Sequence, residues 1–237
     1  MTQHPQRTLK TGGLTPFTAT DYPGRLAAVV FVQGCPWRCG YCHNPHLQTR
    51  TASSPLSWHD ILQFLERRRG LIDAVVFSGG EPTMDPGLIN AVNAVRELNF
   101  TVGLHSAGTH PERLRQVLPL IDWIGLDIKA LPGDYDAITG MPGSARPAYA
   151  SLRAVLDSKA AYECRTTLHP QLHCQEQIEH LAQRLSAEGV RHYALQAFRP
   201  TGCANPQLTQ ASAAALLSES SLARIGKLFD TFSFRSH

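Results

Sequence analysis

Three thiols within eight residues are the first chemical feature of this 237-residue chain: Cys35, Cys39 and Cys42, in the stretch Gly34-Cys35-Pro36-Trp37-Arg38-Cys39-Gly40-Tyr41-Cys42-His43-Asn44-Pro45. The spacing is Cys-x3-Cys-x2-Cys, set among turn formers that let the backbone wrap closely around a compact object. Thiolates select zinc or an iron-sulfur cluster over hard, oxygen-preferring cations. Three of them leave one coordination position open. A structural zinc site takes four protein ligands. His43 is the available fourth, but it follows Cys42 directly and must double back to reach the same ion. A cluster with one open iron fits better, and on these residues alone zinc stays open.

Further groups with chemical capacity recur along the chain. Ser78-Gly79-Gly80-Glu81-Pro82 joins paired glycines, which permit close approach, to a carboxylate that can balance an ammonium; the same residues also make a tight strand-to-helix turn. In Gly125-Leu126-Asp127-Ile128-Lys129 the acid and the lysine share one face of a strand, as a salt bridge or as a ligand-binding pair. Arg165, in Cys164-Arg165-Thr166-Thr167, and Arg199, in Gln196-Ala197-Phe198-Arg199-Pro200, add cations near two later strand ends. His105, in His105-Ser106-Ala107-Gly108, stands at another, as a hydrogen-bonding group or a structural histidine.

These residues follow apolar runs that read as strands. Leu26 to Val32, Ile72 to Phe77, Thr101 to Leu104, Trp123 to Ile128, Glu163 to Leu168 and Tyr193 to Ala197 are short and rich in apolar residues. Between them lie helical patterns. Ser57 caps a helix carrying Trp58, Ile61, Leu62 and Leu65 on one face, ended by Gly70, and Asp85 with Pro86 opens another bearing Leu88, Ile89, Val92 and Val95. Further helices are expected near 111–118, 146–158 and 175–188, then over 208–218 and 221–230. Six strand-helix units imply an α/β fold with a parallel sheet, either doubly wound or an incomplete (β/α)6 barrel, followed by a C-terminal helical tail. Either form places chemistry at the C-terminal strand ends, where every group above falls.

The cysteine spacing with Tyr41 before the last thiol resembles the signature of the radical S-adenosylmethionine enzymes. The likeness spans the six units. Gly79-Gly80-Glu81 resembles the family segment that holds the amino group of the methionine moiety. Asp127 and Lys129 resemble the Asp-x-Lys motif of glycyl-radical activating enzymes, whose lysine meets the cofactor carboxylate. By the same resemblance Arg165 reaches the cofactor or its ribose. The Phe198-Arg199-Pro200 stretch and the segment from Gly12-Gly13-Leu14 to Asp21-Tyr22-Pro23-Gly24 are similar to activators of anaerobic ribonucleotide reductase. His105 departs from the acidic residue that many relatives carry there as a cofactor contact.

The resemblance implies Cys35, Cys39 and Cys42 as ligands of a 4Fe-4S cluster, and S-adenosylmethionine as a cofactor contacted by Tyr41, Gly79, Gly80, Glu81, His105, Asp127, Lys129, Arg165 and Arg199. It further implies a glycyl radical raised on anaerobic ribonucleoside-triphosphate reductase, with reduced flavodoxin or ferredoxin as electron donor. Two rivals remain. One is a related enzyme acting on another glycyl-radical enzyme or on a small molecule, in the manner of 7-carboxy-7-deazaguanine synthase. The other is a zinc-stapled interaction module. The stretch between Cys42 and Trp58 is too short for an insert with further clusters. Cys164, Cys174 and Cys203 lack the spacing of a second cluster loop and read as structural.

Composition sets the outer bounds. Hydrophobic residues make up 43% of the chain and charged ones 17%, with a net charge of +3, which excludes disorder and gives no basic tract for nucleic acid. The longest basic run, Arg67 to Arg69, reads as a solvated helix end. No segment has the length of a membrane span, and the polar start lacks a signal-peptide core, so a cytoplasmic protein without membrane or nucleic-acid partners is expected. One domain is expected over 1–237: a lead-in over 1–23, a core over about 24–202 and the tail over 203–237.

Overall fold

The computed structural model describes residues 8–209 and 216–236. One eight-stranded sheet runs in chain order from β1 to β8. The strands are β1 (Thr11–Thr18), β2 (Ala27–Val32), β3 (Ala74–Gly79), β4 (Thr101–Ser106), β5 (Trp123–Asp127), β6 (Ala161–Leu168), β7 (His192–Ala197) and β8 (Thr231–Arg235). From β2 to β8 every pairing is parallel; β1 alone lies antiparallel, on β2. The six strands expected from sequence are β2 to β7.

Helices fill the crossovers: α1 (Trp58–Glu66), α2 (Leu88–Glu97), α3 (Pro111–Val117), α4 (Tyr135–Thr139), α5 (Ala145–Leu156) and α6 (Gln175–Ala187). Ser57 caps α1, its side chain accepting from the Asp60 N–H at 3.1 Å, and Arg67 to Arg69 are exposed beyond its end. The start of α2 differs from expectation. Asp85 ends a short 3-10 turn instead, and its carboxylate takes the N–H of Gly87 at 2.7 Å and an ion pair from Arg50 at 3.0 Å. Pro86 therefore sits before the helix, whose first turn begins at Leu88.

Two strands were not expected. Thr11–Thr18 contains Gly12, Gly13 and Pro16, which mask its strand character; the register shifts between Thr11 and Gly13 and between Thr15 and Thr18, and an edge strand tolerates Pro16 at such an irregularity. The tail, read as helical, contains α7 (Pro206–Thr209) and α8 (Glu219–Gly226) and then turns into β8. Most of the helix expected over 208–218 lies outside the described residues. In β8 the period of two is plain: Phe232 and Phe234 pack on the main core while Ser233 and Arg235 face the other way.

The sheet has two unlike faces. Its outer face, with Val30, Val75, Leu104, Leu126 and Leu195, is buried under the helices. The inner face holds a small apolar cluster of Tyr22, Ala27, Val29, Ala74, Val76 and Trp123. Alternation along the strands then puts Ser78, His105, Asp127, Arg165 and Gln196 on that inner face, near its C-terminal rim. No described helix is long and apolar enough to cross a membrane.

Candidate cofactor site

One cavity opens at this rim, lined by Cys35, Cys39, Cys42, Gly79, Gly80, Asp127, Lys129, Arg165 and Arg199, together with His105 and Tyr41. Of the residues singled out from sequence, Glu81 alone does not line it.

The thiol loop leaves β2 and is fixed at its base by backbone. Gly34 N–H donates to Leu47 O at 2.8 Å and Cys35 N–H to Gln48 O at 3.1 Å, while Cys42 N–H donates to Cys39 O at 3.1 Å. The loop after β3 packs directly beneath, through Gly80 N–H to Val32 O at 2.9 Å and Glu81 N–H to Gly34 O at 2.7 Å. Both glycines are required for that approach. A side chain on Gly79, whose φ is +119°, would run into the Val32 backbone, and one on Gly80 would run into Gly34 O.

Glu81 has a different task from the one expected. Its carboxylate is fully buried and accepts from Thr83 Oγ1 at 2.6 Å, Thr83 N–H at 3.1 Å, Ser106 Oγ at 2.8 Å and Ala107 N–H at 2.8 Å. Burial raises its pKa, and the hydroxyl and amide donors work against that rise. The side chain pins the β3 loop to the β4 loop and has no face toward the cavity. Any grip on an ammonium here falls to the backbone around Gly79 and Gly80.

β5 ends at Asp127, so Lys129 lies two residues past the strand instead of on it, but the two side chains still meet. Lys129 Nζ lies 3.7 Å from Asp127 Oδ2 and 5.5 Å from the centre of the Tyr41 ring. Burial opposes the lysine's charge, but Tyr41, Cys39 and Asp127 outweigh it and hold the pKa well above the ordinary value. Its backbone is clamped on both sides: its N–H donates to Tyr135 Oη at 3.2 Å, and its carbonyl accepts from His173 Nε2 at 3.1 Å. Neither Tyr135 nor His173 is readable as a site residue from sequence, since their effect passes through backbone.

His105 is neutral. Burial first, and the Arg165 guanidinium second, lower its pKa to about 4. Nε2 donates to the Asp21 carbonyl at 2.8 Å, which leaves Nδ1 to accept from Ser78 Oγ at 3.4 Å. Arg199 is exposed, and its carbonyl takes His43 Nε2 at 2.9 Å. The Nε2 of His43 is therefore engaged, and its ring is stacked on Phe198 with centroids 5.4 Å apart. Trp37 and Tyr41 are both buried at the cavity wall. Asp21, Ser78, Thr167 and Gln196 also line the cavity; the last three were legible only as the inward-facing alternates of strands whose partners were already in view. Cys164 lies in the core, Cys174 is exposed at the start of α6, and Cys203 Sγ contacts Gly40 O at 3.6 Å.

An open α/β barrel with three thiols and a nest of charges at its C-terminal rim defines a cofactor-dependent enzyme class. Residues 29–185 match the Radical SAM superfamily, and the chain belongs to that superfamily. A protein of Methanocaldococcus jannaschii named as a glycyl-radical enzyme activating enzyme is 29% identical over 79% of this chain and 79% of its own. The pyruvate formate-lyase-activating enzyme of Clostridium pasteurianum is 35% identical over 51% of this chain and 52% of its own. Among solved structures, Streptococcus suis SuiB bound to its precursor peptide SuiA superposes with a TM-score of 0.63 at 14% identity. That match covers 88% of this chain and 48% of SuiB, and it supports the fold.

The superfamily implies S-adenosylmethionine and a 4Fe-4S cluster, and the residues fit both. Burial pushes the Cys35 thiol up to about 12, helped by Glu81, and raises Cys39 as well, so thiolates persist there when cations share their charge. No three described His, Cys, Asp or Glu side chains are grouped to hold a single metal ion, whereas in a cluster each thiolate binds its own iron. The cationic Lys129 and the cavity-lining backbone at the paired glycines suit the two ends of an amino-acid zwitterion.

Proposed function

We propose that the chain is a glycyl-radical activating enzyme with a 4Fe-4S cluster on Cys35, Cys39 and Cys42, and that its target is an anaerobic ribonucleoside-triphosphate reductase in the cytoplasm. The observation that carries this reading is the convergence of the three thiols with Lys129, Asp127 and Arg165 on one cavity. The names of the two curated relatives support the class of target. The Gln196 to Pro200 stretch and the Asp21 to Gly24 stretch, both at this cavity through Gln196, Arg199 and Asp21, support the reductase as the particular one.

When bound, cluster and S-adenosylmethionine together supply one-electron cleavage of a carbon-sulfur bond and thereby an agent that takes a hydrogen atom from carbon. The electron is expected from reduced flavodoxin or ferredoxin. The protein's share is placement. Lys129 Nζ, held by Asp127 and the Tyr41 ring, offers a fixed cation to the methionine carboxylate, and the Gly79-Gly80 backbone offers acceptors to its amino group. Arg165 is anchored by Asp127 at 3.0 Å and presents its remaining N–H donors to the cavity. Trp37 and Tyr41, buried beside the thiols, keep water from them.

The test is 5'-deoxyadenosine formation from S-adenosylmethionine and dithionite after anaerobic reconstitution with iron and sulfide, followed by electron paramagnetic resonance of the reductase. Product from the wild type and none from Cys39→Ala is expected, with a glycyl doublet on the reductase. Product without that doublet would remove the reductase from the reading. Tight zinc with no cleavage would overturn the reading altogether.

A further inference from the structure

The cavity has two lining carboxylates, and they are in opposite situations. Asp127 is engaged by Arg165 and Lys129. Asp21 enters none of the described ion pairs; its Oδ2 accepts one hydrogen bond, from Thr18 Oγ1 at 2.6 Å. Asp21 comes from the turn between β1 and β2, outside the parallel barrel. It is nevertheless fixed from both sides. Its own carbonyl is held by His105 Nε2 on β4. The next residue, Tyr22, stacks on Trp123 of β5 with centroids 5.2 Å apart and planes 29° apart. Gly103 makes room for that ring: a Cβ there would come within 3.0 Å of Tyr22 Cδ1. Trp123 in turn meets the His105 ring edge-on at 5.6 Å.

A half-buried carboxylate anchored this firmly, with acceptor capacity left over, is built to receive hydroxyl donors. Its place in the cavity says which ones. His105, whose Nε2 holds the Asp21 carbonyl, pairs in register with Gly125, two residues before Asp127 on β5. Asp21 thus serves the deeper level of the cavity. A ligand whose charged amino-acid end meets Lys129 and the paired glycines directs its other end there. Resting on the function proposed above, we propose that Asp21 is a cofactor-binding residue that accepts hydrogen bonds from the ribose hydroxyls of S-adenosylmethionine, with His105 as its positioning residue.

Calorimetric titration of the reconstituted holoprotein tests this. Probes are S-adenosylmethionine, 5'-deoxyadenosine, and the 2',5'- and 3',5'-dideoxyadenosines. Asp21→Ala is expected to weaken S-adenosylmethionine about tenfold or more, with iron content unchanged. In the wild type, loss of a ribose hydroxyl weakens the nucleoside; in Asp21→Ala that same loss has no effect. Asp21→Asn, nearly isosteric and still an acceptor, falls between and controls for folding. If Asp21→Ala keeps the wild-type preference for the full ribose, the assignment is wrong while the radical reading stands. If the wild type neither binds nor cleaves S-adenosylmethionine, both fail.

Discussion

Asp127 and Arg165 stand opposite each other across the β5–β6 pairing, and Asp127 Oδ1 receives both Nε and Nη2 of the guanidinium at 3.0 Å. With Lys129 on the other carboxylate oxygen, one acid organises two cations that are each about nine-tenths buried. Burial tends to raise the Asp127 pKa, but Arg165, Lys129 and His105 outweigh it and hold the carboxyl below its ordinary range.

Removing that acid strands both cations. Asp127→Ala is expected to cost about 3 kcal/mol in denaturant unfolding, the scale for breaking a largely buried pair. The pH dependence has a definite sign. A depressed carboxyl contributes stability above its unfolded pKa, about 3.9, and loses it as pH falls through the lower folded value. Asp127→Asn should therefore unfold with a shallower acid limb below about pH 4 than the wild type; identical limbs would show that the pair carries no stability.

The cysteines separate into ligands and bystanders. Cys39→Ala is expected to lose iron and sulfide after reconstitution, because the remaining two thiols leave two corners of a cluster without protein ligands. Cys203→Ala, which removes the thiol's contacts to Gly40 O and Asn205 O, and Cys174→Ala are expected to reconstitute like the wild type. Iron analysis and the visible spectrum decide; a Cys203→Ala protein that cannot hold iron would make the trio a quartet.

Much of this site was legible because strand-end chemistry sits at strand ends. Cys35, Cys39, Cys42, Asp127, Lys129, Arg165 and Arg199 could be placed on one rim once alternating strands and helices were recognised. Glu81 was misread for a physical reason: from sequence a carboxylate beside paired glycines looks available, and only the hydroxyls of Thr83 and Ser106 reveal that it is consumed internally. Asp21 was invisible as a cavity residue because Gly12, Gly13 and Pro16 hide β1, and without that edge strand nothing returns the following turn to the barrel. β8 was lost to the Ala-rich and Ser-rich stretch before it, although the Thr231 to Arg235 alternation carried the signal.

His105 supplies a second pH test. Its folded pKa is lowered to about 4, against an unfolded value of about 6.5, so between these the unfolded chain binds more protons. The histidine's contribution to stability is complete above pH 6.5, fades as pH falls through this window and is gone near 4. His105→Gln, which keeps a donor for the Asp21 carbonyl, should flatten that slope. NMR titration of the imidazole is the direct check, and a protonated His105 at pH 6 would refute the assignment.

Gly80 tests how closely the two cofactor loops must approach. A Cβ there runs into Gly34 O and lies near Leu47 O, both backbone atoms that no rotamer change can clear. Gly80→Ala is expected to separate the β3 loop from the thiol loop, lowering both thermal stability and iron retention. Gly133→Ala, where nothing lies near a Cβ, is the matched control and should change neither.

The most indirect control on the site passes through the Lys129 backbone. His173 Nδ1 accepts from the His169 N–H at 3.1 Å, which fixes the tautomer in which Nε2–H donates to the Lys129 carbonyl at 3.1 Å. On the other side Tyr135 Oη accepts the Lys129 N–H, and the Tyr135 ring meets Trp37 edge-on at 5.7 Å. One tyrosine thus links the strand end bearing the cation to the thiol loop. Tyr135→Phe leaves the ring packing intact but strips a buried N–H of its acceptor, at a cost of about 1–3 kcal/mol. If that peptide aims Lys129, the variant should bind S-adenosylmethionine several-fold more weakly while keeping its iron. A stability loss with unchanged affinity would make Tyr135 a core residue and nothing more.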